Sequence, residues 1–343
     1  MSPANLIYVC DGMGSVFDSQ VVSSLQSIYD KNVFNEIFML LGVRNKEEED
    51  NFKINYNHLK FKTVTYKTYP NYPVFNSLSH FSLNKAFKKL DGLDMNITLF
   101  HTRGEMSACH LMNILDKIYH KNILADVRGA SVEEIEEFYY SNGLLKSLKI
   151  KNSRNAVKNL SNIKTISVVS DSLKKYLIEN FNIIDRSLFV TPCLAGSGFI
   201  YNTVRRYEIR RELNLNDEDT LIIFASGGTA AWQNNEIILR FAEKDFKVLN
   251  LSKKEIRNNN IINMFVDYSE IPAYLNAADA AVIWRDKSIV NKVASPVKFS
   301  EYICCGLPVI ANSSVDMITE YLTNYDCGIL IDNFDEINVS NLT

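Results

Sequence analysis

Short apolar, β-branched runs alternate along the chain with longer amphipathic stretches, and that alternation predicts strand after helix after strand. Strand-like runs fall at 5–10, 34–42, 61–69, 96–103, 122–128, 165–170 and 187–192, with helical stretches at 16–30, 77–90, 105–120, 131–150 and 171–180. After a charged helix, 205–213, a second series begins. Its strands are 221–228, 246–252, 262–267, 280–285, 308–312 and 328–332, and its helices 232–244, 270–278, 296–305 and 315–323. Repeated β/α units predict parallel sheets with helices on both faces. The fold class is therefore α/β, with two Rossmann-like doubly wound domains facing a cleft. The small-residue stretch AGSGFIYNT (195–203) separates them, giving domains 1–198 and 199–343.

Ligands of such sheets bind beyond the carboxyl ends of the strands, so polar residues there carry the chemistry. The stretch ASPVKFSEYICCGLPVIAN (294–312) is the most informative. Ser295 suits a helix N-cap, Pro296 the first helical position, and Gly306 a left-handed C-terminal cap. Lys298 and Glu301 share one face of this helix near its start. A cation there opposes the helix dipole, and a phosphate is the natural compensator. In WRDKS (284–288), Arg285 ends a buried strand. With Lys298 it gives two cations near one helix N-terminus, a pair suited to a diphosphate; alone it also reads as a mixed-charge surface loop.

Two turns are glycine-rich. CDGMGSVFDSQ (10–20) places Gly12 and Gly14 after the first strand, and ASGGTAAWQ (225–233) places Gly227 and Gly228 after the first strand of the second series. Each permits close approach of backbone N–H groups to an anion; neither is GxGxxG or a P-loop, and a plain βα turn is the competing account. Trp232 reads as a ring-stacking residue or a packed surface one. FHTRGE (100–105) and ADVRGASVEE (125–134) end two successive strands with Arg103 and Arg128, each followed by glycine and near Asp126, Glu133 and Glu134. They suit a hydroxyl-rich or anionic ligand, or an internal arginine–carboxylate network.

The 343 residues carry a net charge of −3, unevenly spread. Residues 1–195 hold 23 Lys and Arg against 20 Asp and Glu, whereas 196–343 hold 14 against 20. Neither half is basic enough for nucleic-acid binding. The six cysteines form no CxxC pair, so a zinc site is not expected and reduced, packed thiols of a cytoplasmic protein are. No signal peptide or membrane span is evident. Lys146, Lys149, Arg154 and Lys158 form a basic stripe that reads either as a contact with an anionic membrane surface or as a solvated helix face. GxSxG and HExxH are absent, which argues against the corresponding hydrolases.

The segment SPVKFSEYICCGLPVIAN resembles the SPxKxxEYxxxGxPVI donor segment of GT-B glycosyltransferases, family 4 in particular. ISVVSDSLKKYL (166–177) and FVTPC (189–193) are similar to further segments of that family. HTRGE and ADVRGASVEE resemble the HxR and DxRGxxxDE segments of a bacterial subset. The resemblance implies a retaining transferase that moves a sugar from a nucleotide-sugar donor to a hydroxyl of a bacterial surface glycan or lipid-linked saccharide, with no metal or other cofactor. It implies that Glu301 holds the donor's ribose hydroxyls and that Arg285 and Lys298 hold its diphosphate. Ser295, Pro296, Gly227, Gly228, Gly12 and Gly14 then shape the donor site, with His101, Arg103, Asp126, Arg128 and Glu134 on the acceptor side. The sequence departs from the family in three places. Val293 stands where many members carry a second Glu, TAAWQ replaces an expected Arg or Lys, and the family's final helices are not evident after Asp332. A sugar-nucleotide epimerase of the same architecture and a non-catalytic binding subunit are the rival readings.

Overall fold

A computed structural model describes residues 4–14, 16–90, 92–140, 143–216, 218–226 and 236–337. The chain divides into two compact units, Met1–Pro192 and Cys193–Thr343. The division precedes the 198/199 boundary expected from the sequence, because Cys193 is already tied to the second unit. Its N–H donates to Ser295 Oγ (3.0 Å), its carbonyl accepts from Ser300 Oγ (2.6 Å), and Phe199 lies in that unit's core.

In the first unit, β1 (Asn5–Cys10) and α1 (Ser23–Asp30) are joined through a π-helical turn at Asp18–Val22. There follow β2 (Ile37–Val43), α2 (Lys46–Asn55), β3 (Lys62–Lys67) and α3 (Pro73–Phe87). The second half holds β4 (Thr98–Arg103), α4 (Glu105–Met112), β5 (Ile123–Val127), α5 (Ser131–Phe138), α6 (Gly143–Asn159), β6 (Thr165–Val168), α7 (Asp171–Phe181) and β7 (Leu188–Val190). All neighbours pair in parallel, in the order β3-β2-β1-β4-β5-β6-β7. Every residue of β1 and β2 is buried, as a parallel sheet covered on both faces requires. The strand order reverses between β1 and β4, so the carboxyl ends of these two strands flank the switch point.

The second unit repeats the scheme. It runs α8 (Thr203–Glu212), β8 (Leu221–Ala225), α9 (Ile237–Glu243), β9 (Lys247–Leu251), β10 (Ile261–Met264), α10 (Ile271–Ala277) and β11 (Ala280–Ile283). Then come the one-turn α11 (Ile289–Lys292), α12 (Val297–Cys304), β12 (Val309–Ala311), α13 (Asp316–Asn324) and β13 (Gly328–Leu330). The sheet order is β10-β9-β8-β11-β12-β13, again parallel, with its switch point between β8 and β11.

Every strand expected from the sequence is present, and the helices differ where polarity hid them. α2 was not anticipated, since Phe52 is its only buried residue. Asn45 caps it by accepting from the Glu48 N–H (2.9 Å). The helix expected at 131–150 is two helices, α5 ending at Phe138 where Tyr139 turns extended. The stretch 105–120 holds α4 and then a 3₁₀ turn, Lys117–Asn122.

One strand glycine is required by packing. A Cβ on Gly42 would lie 2.4 Å from Thr68 Cγ2 and 2.8 Å from the carbonyl carbon and oxygen of Asp11. The missing side chain therefore lets the turn after β1 cross the end of β2. Gly42→Ala is expected to cost about 2–4 kcal/mol, a core-overpacking penalty, whereas Gly143→Ala, which meets nothing within 4 Å, leaves stability within about 0.5 kcal/mol. Urea unfolding of the two variants checks the contrast.

Candidate functional site

At the switch point of the second unit, Ala225, Trp284, Arg285, Pro296, Lys298 and Tyr302 line one recess. Arg285 lies just past β11, and its main chain is clamped from the neighbouring strand. Its N–H donates to Asn312 Oδ1 (3.3 Å), and its carbonyl accepts from Asn312 Nδ2 (2.7 Å) and Ser314 Oγ (2.7 Å). The guanidinium donates to Asn291 Oδ1 (3.2 Å). Among the described residues it forms no ion pair with a carboxylate. Burial lowers its pKa to about 10, so it stays charged at neutral pH while lacking a counter-ion.

α12 begins at Val297, with Pro296 as its extended N-cap and no side-chain cap. The expected cap, Ser295, instead accepts from the Cys193 N–H and is buried. The C-terminus matches expectation: Gly306 has φ of 73°, its N–H donates to Ile303 O (2.9 Å), and the Leu307 N–H donates to Tyr302 O (3.0 Å), a Schellman closure. Lys298, in the first turn, lies 2.8 Å from Glu301 Oε2. The Glu301 carboxylate is fully buried, and its other oxygen accepts from the Tyr268 hydroxyl (3.2 Å). Oε2 itself has no aligned hydrogen-bond donor, so the lysine neutralises it without saturating it. The Tyr302 hydroxyl accepts from the Ala225 N–H (3.0 Å), fixing the end of β8. Gly227, Gly228 and Trp232 lie outside the described residues.

The first unit assembles two polar clusters at the carboxyl ends of its strands. In one, buried Asp126 accepts from Ser167 Oγ (2.7 Å) and from Arg128 Nη1 (3.2 and 3.3 Å), and His101 Nε2 lies 3.9 Å away. Arg128 also donates to Gln20 Oε1 (2.7 Å). Burial raises the Asp126 pKa, but His101, Arg128 and Ser167 together hold it down to about 2. Four expected residues therefore stand close together: His101, Asp126 and Arg128 in contact, and Arg103 at the end of β4 beside the Tyr8 hydroxyl. Gly104, at φ 86°, makes the turn after Arg103, where its N–H donates to Asp126 O (2.8 Å). Glu134 sits in the first turn of α5. Its pKa is raised, chiefly by loss of solvent and then by Glu105.

The second cluster was not anticipated. Asp11, just after β1, accepts from the Tyr66 hydroxyl, and His110 Nδ1 lies 3.5 Å from its Oδ2. His80 packs edge-on to His110, with ring centroids 4.8 Å apart. The signal in the sequence was an acid directly after the first strand, which the flanking glycines overshadowed. Neither Gly12 nor Gly14 has positive φ, and a Cβ on either meets no protein atom within 4 Å.

A carboxyl group whose pKa is depressed on folding stabilises the protein above its unfolded pKa and loses that stabilisation as the pH falls through the folded one. For Asp126 the window is about pH 4 down to 2, and the contribution about 2 kcal/mol. Asp126→Asn should lower stability at pH 7 by this order and flatten the acid limb of the stability curve. Urea unfolding at pH 7 and at pH 3 measures both.

Residues 229–341 match the family of glycosyl transferases group 1. No curated protein sequence matches the chain. Among solved structures, Anabaena Alr3699/HepE in complex with UDP-glucose superposes with a TM-score of 0.66 at 10% identity, over 96% of this chain and 85% of that one. A glycosyltransferase from Rickettsia africae ESF-5 gives 0.64 at 13% identity, over 97% and 86%. The α,α-trehalose-phosphate synthase (UDP-forming) from Burkholderia vietnamiensis gives 0.56 at 8% identity, over 96% and 88%. Two parallel sheets with alternating helices, matching the structures of these proteins, are the GT-B fold. With a glycosyl transferases group 1 match covering the Arg285–Lys298–Glu301 site, the chain is a glycosyltransferase.

Proposed function

We propose that this enzyme moves a sugar, with retention at the anomeric carbon, from a nucleoside-diphosphate sugar to a hydroxyl of a glycan or lipid-linked saccharide of the bacterial surface. The observation that carries the reading is Arg285: a half-buried, largely desolvated guanidinium given a neutral partner, in a recess shared with Lys298. A buried charge without a counter-ion is costly, and a diphosphate supplies one. The stretch 227–235, GGTAAWQNN, which lies outside the described residues, contains no carboxylate.

In the reaction the bond from the anomeric carbon to the diphosphate oxygen breaks, and its electron pair leaves with the phosphate. The acceptor hydroxyl forms the new bond from the same face and gives its proton to the departing phosphate oxygen. Arg285 and Lys298 stabilise the charge that develops there. Lys298 exchanges Glu301 for phosphate when donor binds, and the exposed Glu301 oxygen then accepts the ribose hydroxyls. The polar cluster around Asp126 suits a hydroxyl-rich acceptor. HepE, with its bound UDP-glucose, makes UDP-glucose the first donor to test.

Calorimetric titration of UDP, GDP, ADP and CDP tests the reading directly. One nucleotide should bind wild type, and Arg285→Ala should lose about 1.5–3 kcal/mol, the worth of charged hydrogen bonds. Conversion of the nucleotide sugar without acceptor would instead support an epimerase, and binding with no transfer to any acceptor a non-catalytic subunit.

The partner reading also includes an anionic membrane surface, and the support for it moves from α6 to α3. On α6, Arg154 pairs with Glu136 (3.2 Å), Lys146 donates to Glu136 O (2.6 Å), and Lys149 sits 3.8 Å over the Tyr139 ring. On α3, Val74, Leu78 and Phe81 follow one helical stripe and are 76%, 45% and 71% exposed. Exposed Lys85 and Lys88 continue the stripe, and residues 51–90 contain seven lysines and no acid. An apolar stripe ending in lysines fits the interface of an anionic bilayer. Phe81→Glu should release the protein from phosphatidylglycerol vesicles in a sedimentation assay while nucleotide binding persists; unchanged sedimentation would sink this contact.

A further inference from the structure

We infer that Asn291 is the positioning residue that makes Arg285 an anion receptor, and that it does so by being an amide rather than a carboxylate. This inference rests on the donor reading above.

Asn291 is fully buried in the single turn of α11. Its surroundings fix which end of the amide points where. Nδ2 donates to Asp286 O (2.9 Å), so Oδ1 is the end turned to the guanidinium, 3.2 Å from Arg285 Nη1. The residue's own N–H donates to Ser288 Oγ (3.1 Å), the hydroxyl that caps the turn. The side chain thus spans two demands, a donor toward a carbonyl and an acceptor toward a guanidinium, and an amide meets both.

The electrostatic result is specific. One Nη group is oriented by a hydrogen bond, yet no negative charge is placed beside it. An aspartate has nearly the same shape and would hold the guanidinium in the same direction. It would also neutralise it, and a phosphate would then have to displace a buried carboxylate to bind. Arg285's backbone is locked independently, by Asn312 and Ser314, so toward Arg285 the part of Asn291 is to set the direction and charge of the head group.

Two accounts of Asn291 order the same variants differently. Were it only a geometric support, Asn291→Asp, which keeps the acceptor toward Arg285 and loses only the donor toward Asp286 O, would bind diphosphate at least as well as Asn291→Ala, which loses both. The charge argument reverses that order: wild type binds best, Ala falls several-fold, and Asp falls furthest, by at least about tenfold below wild type. Calorimetric titration of UDP and of inorganic pyrophosphate into the full chain reads the order. Thermal melting confirms that each variant is folded, and Asn291→Ser replaces Ala if the cavity left by Ala prevents folding. Asp binding as well as or better than the truncated variant overturns the inference while leaving the donor site in place. Failure of wild type to bind any nucleoside diphosphate or pyrophosphate overturns the donor reading, and this inference with it.

Discussion

A guanidinium paired with an amide organises the second unit. Two other arginines of that unit are treated differently. Arg206 and Arg210 both reach the Asp279 carboxylate, at 2.5 and 3.3 Å, and several carbonyls besides. They are saturated, and they join α8 to the loop before β11. Arg285 belongs to the same unit and receives no such partner. Three neighbouring elements contribute neutral oxygens and amides to it: α11 through Asn291, the end of β12 through Asn312, and the turn before α13 through Ser314. Asn312 and Ser314 hold the main chain and Asn291 aims the cation, and among the described residues no carboxylate neutralises it, an arrangement that favours a ligand able to bring the charge itself.

The first unit is built on the opposite principle. Its buried carboxylates at the strand ends are largely supplied with partners from within. Asp126 has Ser167, Arg128 and His101; Asp11 has Tyr66 and His110. The pKa values of both acids are held down despite burial, so each is ionised at neutral pH and its charge is locally balanced. Such a surface offers hydrogen-bond donors and acceptors without a strong net field, which suits a polyhydroxylated ligand better than an anionic one. Two domains of one topology thus present complementary chemistry at equivalent strand ends.

How far the sequence discloses this depends on whether each residue acts locally. The placement of Arg285 just past a strand and of Lys298 in a helix's first turn was legible because a strand end and a helix start are local patterns. α12's C-terminus was legible for the same reason. Ser295 misled because its Ser-Pro context imitates a cap, while its hydroxyl is claimed by Cys193, a residue 102 positions away. Gly12 and Gly14 drew attention as glycines in a turn, yet their backbone is ordinary; sterics demand a glycine at Gly42, near the end of β2, and at Gly328, at the start of β13, and in both the demand comes from another segment. Asn291, Asn312 and Tyr268 were invisible because each is an unremarkable residue whose role exists only through the side chain or backbone it touches. α2 escaped because a helix that buries one side chain has almost no periodic signal.

On the proposed donor reading, Lys298 links phosphate recognition to ribose recognition. Its ammonium group is the nearest cation to a carboxylate that is wholly enclosed, and it stands one turn from that carboxylate on the same helix. A buried carboxylate cannot be abandoned cheaply, so Lys298 leaves Glu301 only when hydroxyl donors replace it. A free phosphate offers the lysine a new partner but leaves Glu301 exposed to the loss; a nucleoside alone offers hydroxyls but no partner for the lysine. A nucleotide supplies both at once. On the proposed reading, phosphate and ribose recognition are therefore coupled through one ion pair, and the coupling is reciprocal. The same pair selects against fragments of the donor without any additional contact. On that reading, this is the physical reason a lysine and a glutamate three residues apart belong at the start of this helix, where a lysine alone would oppose the dipole.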